Sequence, residues 1–123
     1  MSEFCRQVLE LDPGIRFAGV ANKNGRLAAA RYRKGVVPLL DKSRLELSVV
    51  QSAIRFNTRE SFEQELGKAL YTITTYERVK RATVPIHDDK KRLLLVSFDI
   101  TARPGPIIRK KILPLIEEKF RGA

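Results

Sequence analysis

Cysteine, histidine and tryptophan are nearly missing from this chain, with one Cys, one His and no Trp in 123 residues. A single thiol, Cys5, excludes an intrachain disulfide framework and fits a reducing compartment. At helical spacing beside Phe4 and Val8, it reads as core packing rather than as a nucleophile. One histidine, His87, leaves little for a metal centre or a Ser-His-Asp relay, and no nucleophile-elbow pattern accompanies it. Neither Gly-x-Gly-x-x-Gly nor Gly-Lys-[Ser/Thr] occurs, so no cofactor is expected. No apolar run approaches the ~20 residues that span a bilayer, and no basic-then-apolar leader is present. A cytoplasmic protein without a membrane span is therefore expected. Repeats, low-complexity tracts and linkers are lacking too, so residues 1–123 read as one domain.

Negative charge is also scarce. Against 24 Lys+Arg there are 14 Asp+Glu, a formal net charge of +10. Such a balance favours polyanions or an acidic protein partner through long-range attraction. The positive residues are dispersed over four clusters: Arg31 to Lys34, Arg78 to Arg81, Lys90 to Arg92 and Arg109 to Lys111.

The periodicity resolves into the order α-β-β-α-β-β-β-α. Phe4, Val8 and Leu11 recur at helical spacing, and "DPG" at 12–14 ends that helix. Ile15 to Ala21 is nearly all apolar, as expected for a central strand buried on both faces. "NKNG" at 22–25 is hairpin chemistry, and a second strand of small residues, Arg26 to Arg33, follows under a closely packed helix. A long helix starts at Asp41 or Ser43, either of which can cap it. Its apolar residues form two ridges, Leu45-Val49-Ala53-Phe56 and Leu47-Val50-Ile54. Together they span roughly 200°, about twice the stripe that one buried face needs. The second ridge is thus available for another surface, such as a second subunit. "TRESFEQELGK" finishes the helix and turns at Gly67. Strands are expected at 69–76, 79–86 and 93–100, the last one doubly buried and hence a neighbour of the first. "RPGP" at 103–106 breaks the chain before a final amphipathic helix, which Pro114 should bend or restart.

The stretch "LDPGIRFAGVANKNGRLAA", set between a short helix and a long one, resembles the roadblock/LC7 domain. Gly14, Ile15, Arg16, Asn22, Gly25, Leu27 and Ala28 hold the positions that carry the likeness. The chain as a whole, including "FEQELGKALYTITTYERVK", also resembles an archaeal family with this fold. The resemblance implies a longin-like, profilin-like α+β domain: one five-stranded antiparallel sheet, the long helix on one face and the terminal helices on the other. It also implies a non-enzymatic homodimeric scaffold for protein–protein interaction, regulating a small Ras-like GTPase. Pairing would run through the long helix and the following edge strand, which makes Leu47, Val50, Ile54, Tyr71 and Ile73 the expected interface. A bare edge strand needs covering in any case.

Other residues compete for a role. His87, Asp88 and Asp89 sit together but lie in a polar turn followed by lysines, and read as solvated. No metal site is expected there. Arg78, Lys80 and Arg81 follow Tyr71 and Tyr76, and with Lys90, Lys91 and Arg92 they could contact a polyanion. Cations and rings on an open sheet would suit single-stranded nucleic acid, which is the alternative to a protein partner.

Overall fold

The structure, a computed structural model, describes residues 1–121; the last two residues of the expected 1–123 domain lie outside the described residues. It begins with α1 (Ser2–Glu10), whose Phe4, Cys5, Val8 and Leu9 are buried. β1 (Ile15–Ala21) follows and is buried along all but Arg16. This run is apolar because both faces are covered. Ile15, Ala18 and Val20 enter one hydrophobic cluster, while Phe17 and Ala21 enter another on the opposite face.

The hairpin to β2 (Leu27–Tyr32) is set by the side chain of Asn22, which accepts from the backbone of Asn24 and Arg26. Gly25 completes it at φ +81°, in the left-handed region. A register irregularity at Val20/Ala21 lets Leu27 oppose Ala21 and Ala29 oppose Val20, so the strand feeds both clusters. The loop from Arg33 to Leu40 is fastened where Arg16 donates to the Val37 carbonyl at 3.3 Å. Helix α2 (Lys42–Glu60) then starts at Asp41, whose carboxylate accepts the Arg44 amide at 2.8 Å. A one-turn helix, α3 (Glu63–Leu66), is separate from it, and Gly67 ends that turn at φ +80°.

The remaining strands are β3 (Thr72–Thr75), β4 (Val79–Pro85) and β5 (Leu93–Asp99). All pairings are antiparallel and the sheet order is β2-β1-β5-β4-β3, so the two greasiest strands are indeed neighbours. β3 is shorter than the expected 69–76. Ala69 lies outside the ladder and gives its carbonyl to the His87 ring at 2.8 Å. The C-terminal segment starts earlier than the break expected at "RPGP". Pro104 opens α4 (Pro104–Ile107), and neither Pro104 nor Pro106 needs an N–H in a first turn. A π-helical stretch (Ile108–Ile112) follows, in which the Leu113 amide reaches back to the Ile108 carbonyl. The widened turn accommodates Pro114, which cannot donate, and α5 (Leu113–Arg121) proceeds from there.

The fold is thus α+β, with the terminal helices on one face of the five-stranded sheet and α2 on the other. Phe4 of α1 and Phe120 of α5 meet edge to face at 5.1 Å across the terminal pair. On the opposite face Leu45, Val49, Ala53 and Phe56 of α2 close over Phe17, Ala21, Leu27, Leu93 and Leu95. Those partners belong to β1, β2 and β5 only. A helix is about 10 Å wide and strands lie about 4.8 Å apart, so one helix covers two or three strands. β4 and β3 stay bare on this side.

Gly25 is the joint between the hairpin and α2. A Cβ there would stand 3.0 Å from the Val50 Cα, whereas one on Gly35, at φ +86°, meets nothing within 4 Å. Both Gly→Ala changes bear the same left-handed backbone cost, so their difference isolates the contact. Gly25→Ala is expected to destabilise by about 1–2 kcal/mol more than Gly35→Ala in chemical denaturation. Equal losses would mean that hairpin and helix do not meet this closely.

Candidate interaction surfaces

α2 presents three faces. The first is the buried ridge just described. The second carries Leu47, Val50 and Ile54, which are 49%, 40% and 58% exposed. Val50 lies on the flank next to Gly25. Farther along the chain Phe62 and Leu66 of the α3 segment are also exposed, and neither was singled out from the sequence.

The third face is polar. Arg44, Ser48, Gln51, Ser52, Arg55 and Arg59 recur at spacings of three and four and look across the bare half of the sheet. Facing them are the side chains that β4 and β3 send to the α2 side: Arg81, Thr83, Thr72 and Thr74, with Tyr76 beyond. Between the two runs lies a groove; its widest part, about 570 Å³, is at one end, where Leu39 and Leu40 of the preceding loop and Leu47 of α2 face the turn from Tyr76 to Arg81. Arg81 spans the floor and donates to Ser48 Oγ at 3.1 Å. The serine hydroxyls are satisfied within the helix, Ser48 on the Leu45 carbonyl and Ser52 on the Ser48 carbonyl. This keeps Ser52 buried at little cost. Sequence reasoning missed the basic face; its signal was the helical repeat of Arg44, Ser48, Gln51, Arg55 and Arg59.

Strand alternation divides the other expected residues. Tyr71 and Ile73 lie on the face of the sheet away from α2. Tyr71 packs against the terminal-helix cluster and accepts from Arg109 at 3.1 Å, and Ile73 pairs with Ala82 of that cluster. The apolar ridge of α2 and these two side chains are therefore on separate surfaces.

The basic residues separate in the same way. Arg78 and Arg81 border the groove. Lys80, next in chain, points to the other face and donates to the Ala102 carbonyl at 2.8 Å. Lys90, Lys91 and Arg92 sit at the far end of β4, about 20 Å away along the strand. Lys91 pairs with Glu60 at 3.6 Å, and Lys90 is exposed. Arg92 lies over the Phe120 ring at 5.4 Å and pairs with Asp88 at 2.6 Å.

The Asp88–Arg92 pair organises the turn between β4 and β5. His87 and Lys91 there adopt φ of +59° and +54°, unusual for side-chain-bearing residues. Asp88 holds the turn by accepting the Arg92 amide at 3.0 Å and its Nε–H at 2.6 Å. Burial alone would raise the Asp88 carboxyl pKa, but the Arg92 amide and guanidinium outweigh it and hold it below its ordinary value. Cys5 behaves oppositely, its thiol pushed up by burial. The His87 ring is engaged by Ala69, and among the described residues no three His, Cys, Asp or Glu side chains converge as metal ligands. Among the described residues no helix is long and apolar enough to cross a membrane.

This arrangement of one five-stranded antiparallel sheet, α2 on one face and the terminal helices on the other is the roadblock/LC7 fold, related to that of profilin. The roadblock/LC7 domain from Streptomyces avermitilis superposes with a TM-score of 0.71 at 9% identity, covering 96% of this chain and 92% of that one. MglB in a tetrameric arrangement gives 0.75 at 20% identity over 98% and 85% of the two chains. Acanthamoeba castellanii profilin II gives 0.57 at 15% identity over 97% and 98%. No protein-family model matches the sequence, and no curated protein does. The likeness is one of fold.

Asp88→Asn keeps the shape of the turn while removing the charge that Arg92 needs. It is expected to cost about 2 kcal/mol at pH 7. Because the folded-state pKa is depressed, the contribution is present above the unfolded value near 4 and disappears as pH falls through the folded one. The gap between the two proteins should therefore close below about pH 4 in pH-dependent denaturation. A gap independent of pH would assign the loss to packing.

Proposed function

We propose that this chain is a non-enzymatic, self-associating interaction module that serves as a regulatory scaffold for a small Ras-like GTPase. The observation that carries the reading is the second ridge of α2. Leu47, Val50 and Ile54 stand open to solvent on α2, and Phe62 and Leu66 farther along the chain are exposed as well. Apolar side chains grouped in this way mark protein–protein contacts in soluble domains. Helix-to-helix pairing through this ridge would bury them without disturbing the sheet. The tetrameric arrangement of MglB supports self-association as a use of this fold. The GTPase as partner rests on the roadblock resemblance of residues 11–29 together with the shared architecture. The His87–Asp89 turn supports a non-catalytic role, since the His87 ring and the Asp88 carboxylate are both engaged structurally.

Ile54→Asp separates association from folding, because Ile54 is 58% exposed. Sedimentation at micromolar concentration should show a dimer for the parent and a folded monomer for the variant. Its stability should lie within about 0.5 kcal/mol of the parent's at concentrations where both are monomeric. Val50→Asp should also dissociate the dimer, with some loss of stability from its contact at Gly25. A parent chain that stays monomeric at high micromolar concentration overturns the proposal.

A further inference from the structure

Three loops meet at the end of the sheet where β1 begins and β2 and β5 finish, and cations fasten them together. Arg33 donates to the carbonyls of Leu9, Asp12 and Ile15, which draws the start of the β2–α2 loop against the "DPG" turn. Arg16 holds the middle of that loop through the Val37 carbonyl and pairs with Asp99 at 3.2 Å. The third loop follows β5, a turn closed by the Ala102 amide on the Asp99 carbonyl at 2.9 Å. Lys80 donates to the Ala102 carbonyl at 2.8 Å.

These fasteners leave apolar side chains at the tips. Val37 is 77% exposed and Ile100 41%, with Pro13 and Pro38 exposed beside them. Leu39 and Leu40, next in chain, face the groove beside Leu47 and take no part. The backbone of the tips is suited to leaving water. Pro13 and Pro38 have no N–H, Arg16 engages the Val37 carbonyl, and both backbone groups of Ala102 are bonded. Such tips strand fewer polar groups than ordinary loops would on entering an apolar phase. The charge follows the same pattern. Asp12 and Asp99, the acidic residues of these loops, are held by Lys111 at 3.4 Å and by Arg16. Lys34 and Arg103 are exposed and, among the described residues, form no ion pair.

A second copy of the chain fits this end poorly, since it brings the same unopposed cations. A rigid protein partner would need a separate pit for each tip, whereas a fluid surface takes them as they stand. An anionic bilayer offers both phases: acyl chains for Val37 and Ile100, and headgroup phosphates for Lys34 and Arg103. Apolar insertion and charge are the two signals that together hold a protein on a membrane surface. We propose that this end of the sheet docks on an anionic lipid surface, with Val37 and Ile100 set into the interface and Lys34 and Arg103 against the headgroups. The inference goes beyond the scaffold reading, because it says on what surface the module works. Its residues lie apart from the α2 ridge, so either can fail without the other.

Co-sedimentation of the full chain with lipid vesicles at low salt tests it. Vesicles of equimolar phosphatidylserine and phosphatidylcholine should bind the chain, and pure phosphatidylcholine should bind it roughly tenfold more weakly. Val37→Asp should keep its fold by circular dichroism and lose roughly tenfold in binding to the anionic vesicles. Lys34→Glu/Arg103→Glu should lose a similar factor. Lys23→Glu/Lys119→Glu makes the same change in charge at the opposite end of the sheet and should stay within about threefold of the parent. If the Lys34/Arg103 variant unfolds, Lys34→Gln/Arg103→Gln replaces it, with a smaller loss expected. The chain has no tryptophan, so Val37→Trp places a single reporter at the tip. Its emission should shift to the blue on anionic vesicles, and that of Lys23→Trp should not. The proposal is overturned by no binding at low salt, by equal losses in the two charge-reversal variants, or by an unmoved Val37→Trp emission on vesicles that bind the chain. Undiminished binding of folded Val37→Asp also overturns it, since the attraction would then be to polyanions in general.

Discussion

A single helix cannot cover a five-stranded sheet, and much of this molecule follows from that mismatch of widths. Strands about 4.8 Å apart make a surface roughly twice as broad as one helix with its side chains. On one face the problem is solved with two helical segments, α1 and α5, whose Phe4 and Phe120 meet between them. On the other, α2 is alone. It sits over β1, β5 and β2, where Phe17, Ala21, Leu93 and Leu95 supply an apolar bed, and leaves β4 and β3 open. The sequence of those strands agrees with their exposure. Toward α2 they present Thr72, Thr74, Arg81 and Thr83, and toward the terminal helices Ala82 and Val84.

The +10 charge acquires meaning from the same asymmetry. Around the terminal helices, cationic side chains serve backbone carbonyls at the ends of elements. Arg33 reaches the carbonyls of Leu9, Asp12 and Ile15, closing the C-terminal end of α1. Lys80 serves Ala102, Lys111 serves Leu11, and Arg121 serves Ile86. A cation at a helix C-terminus also complements the helix dipole. These charges act as local fasteners and are partly neutralised by what they hold. Among the described residues the arginines along the α2 groove reach no backbone carbonyl or carboxylate, Arg81 meeting only the Ser48 hydroxyl, so their field projects outward. One composition therefore supports two uses, and only position tells them apart.

Local signals set most elements. Ile15 to Ala21 and Leu93 to Asp99 are strands whose unbroken apolar runs required cover on both sides, and they lie together in the sheet. Asp41 caps α2 because a carboxylate one residue before a helix can accept the free amides of its first turn. The two apolar ridges of α2 came from helical periodicity alone, and so could the arginine face have done. The short β3 was less legible. "ALYTITTY" has strand composition throughout, but His87 takes the Ala69 carbonyl and the ladder starts three residues later.

What the sequence determined by itself was one-dimensional: where elements start and stop, which strands are doubly buried, and how many faces the long helix has. Those follow from φ/ψ preference, capping and period, which act over a few residues. Tertiary structure alone decided which residues share a surface. Lys80 and Arg81 are adjacent in chain and opposite in space, because successive strand residues alternate faces. Ile73 and Ile54 look alike as exposed hydrophobes, yet the sheet stands between them. The arginines of α2 border a groove only because β4 and β3 pair beyond the reach of that helix. Such neighbours depend on strand order, a long-range choice that no short stretch encodes.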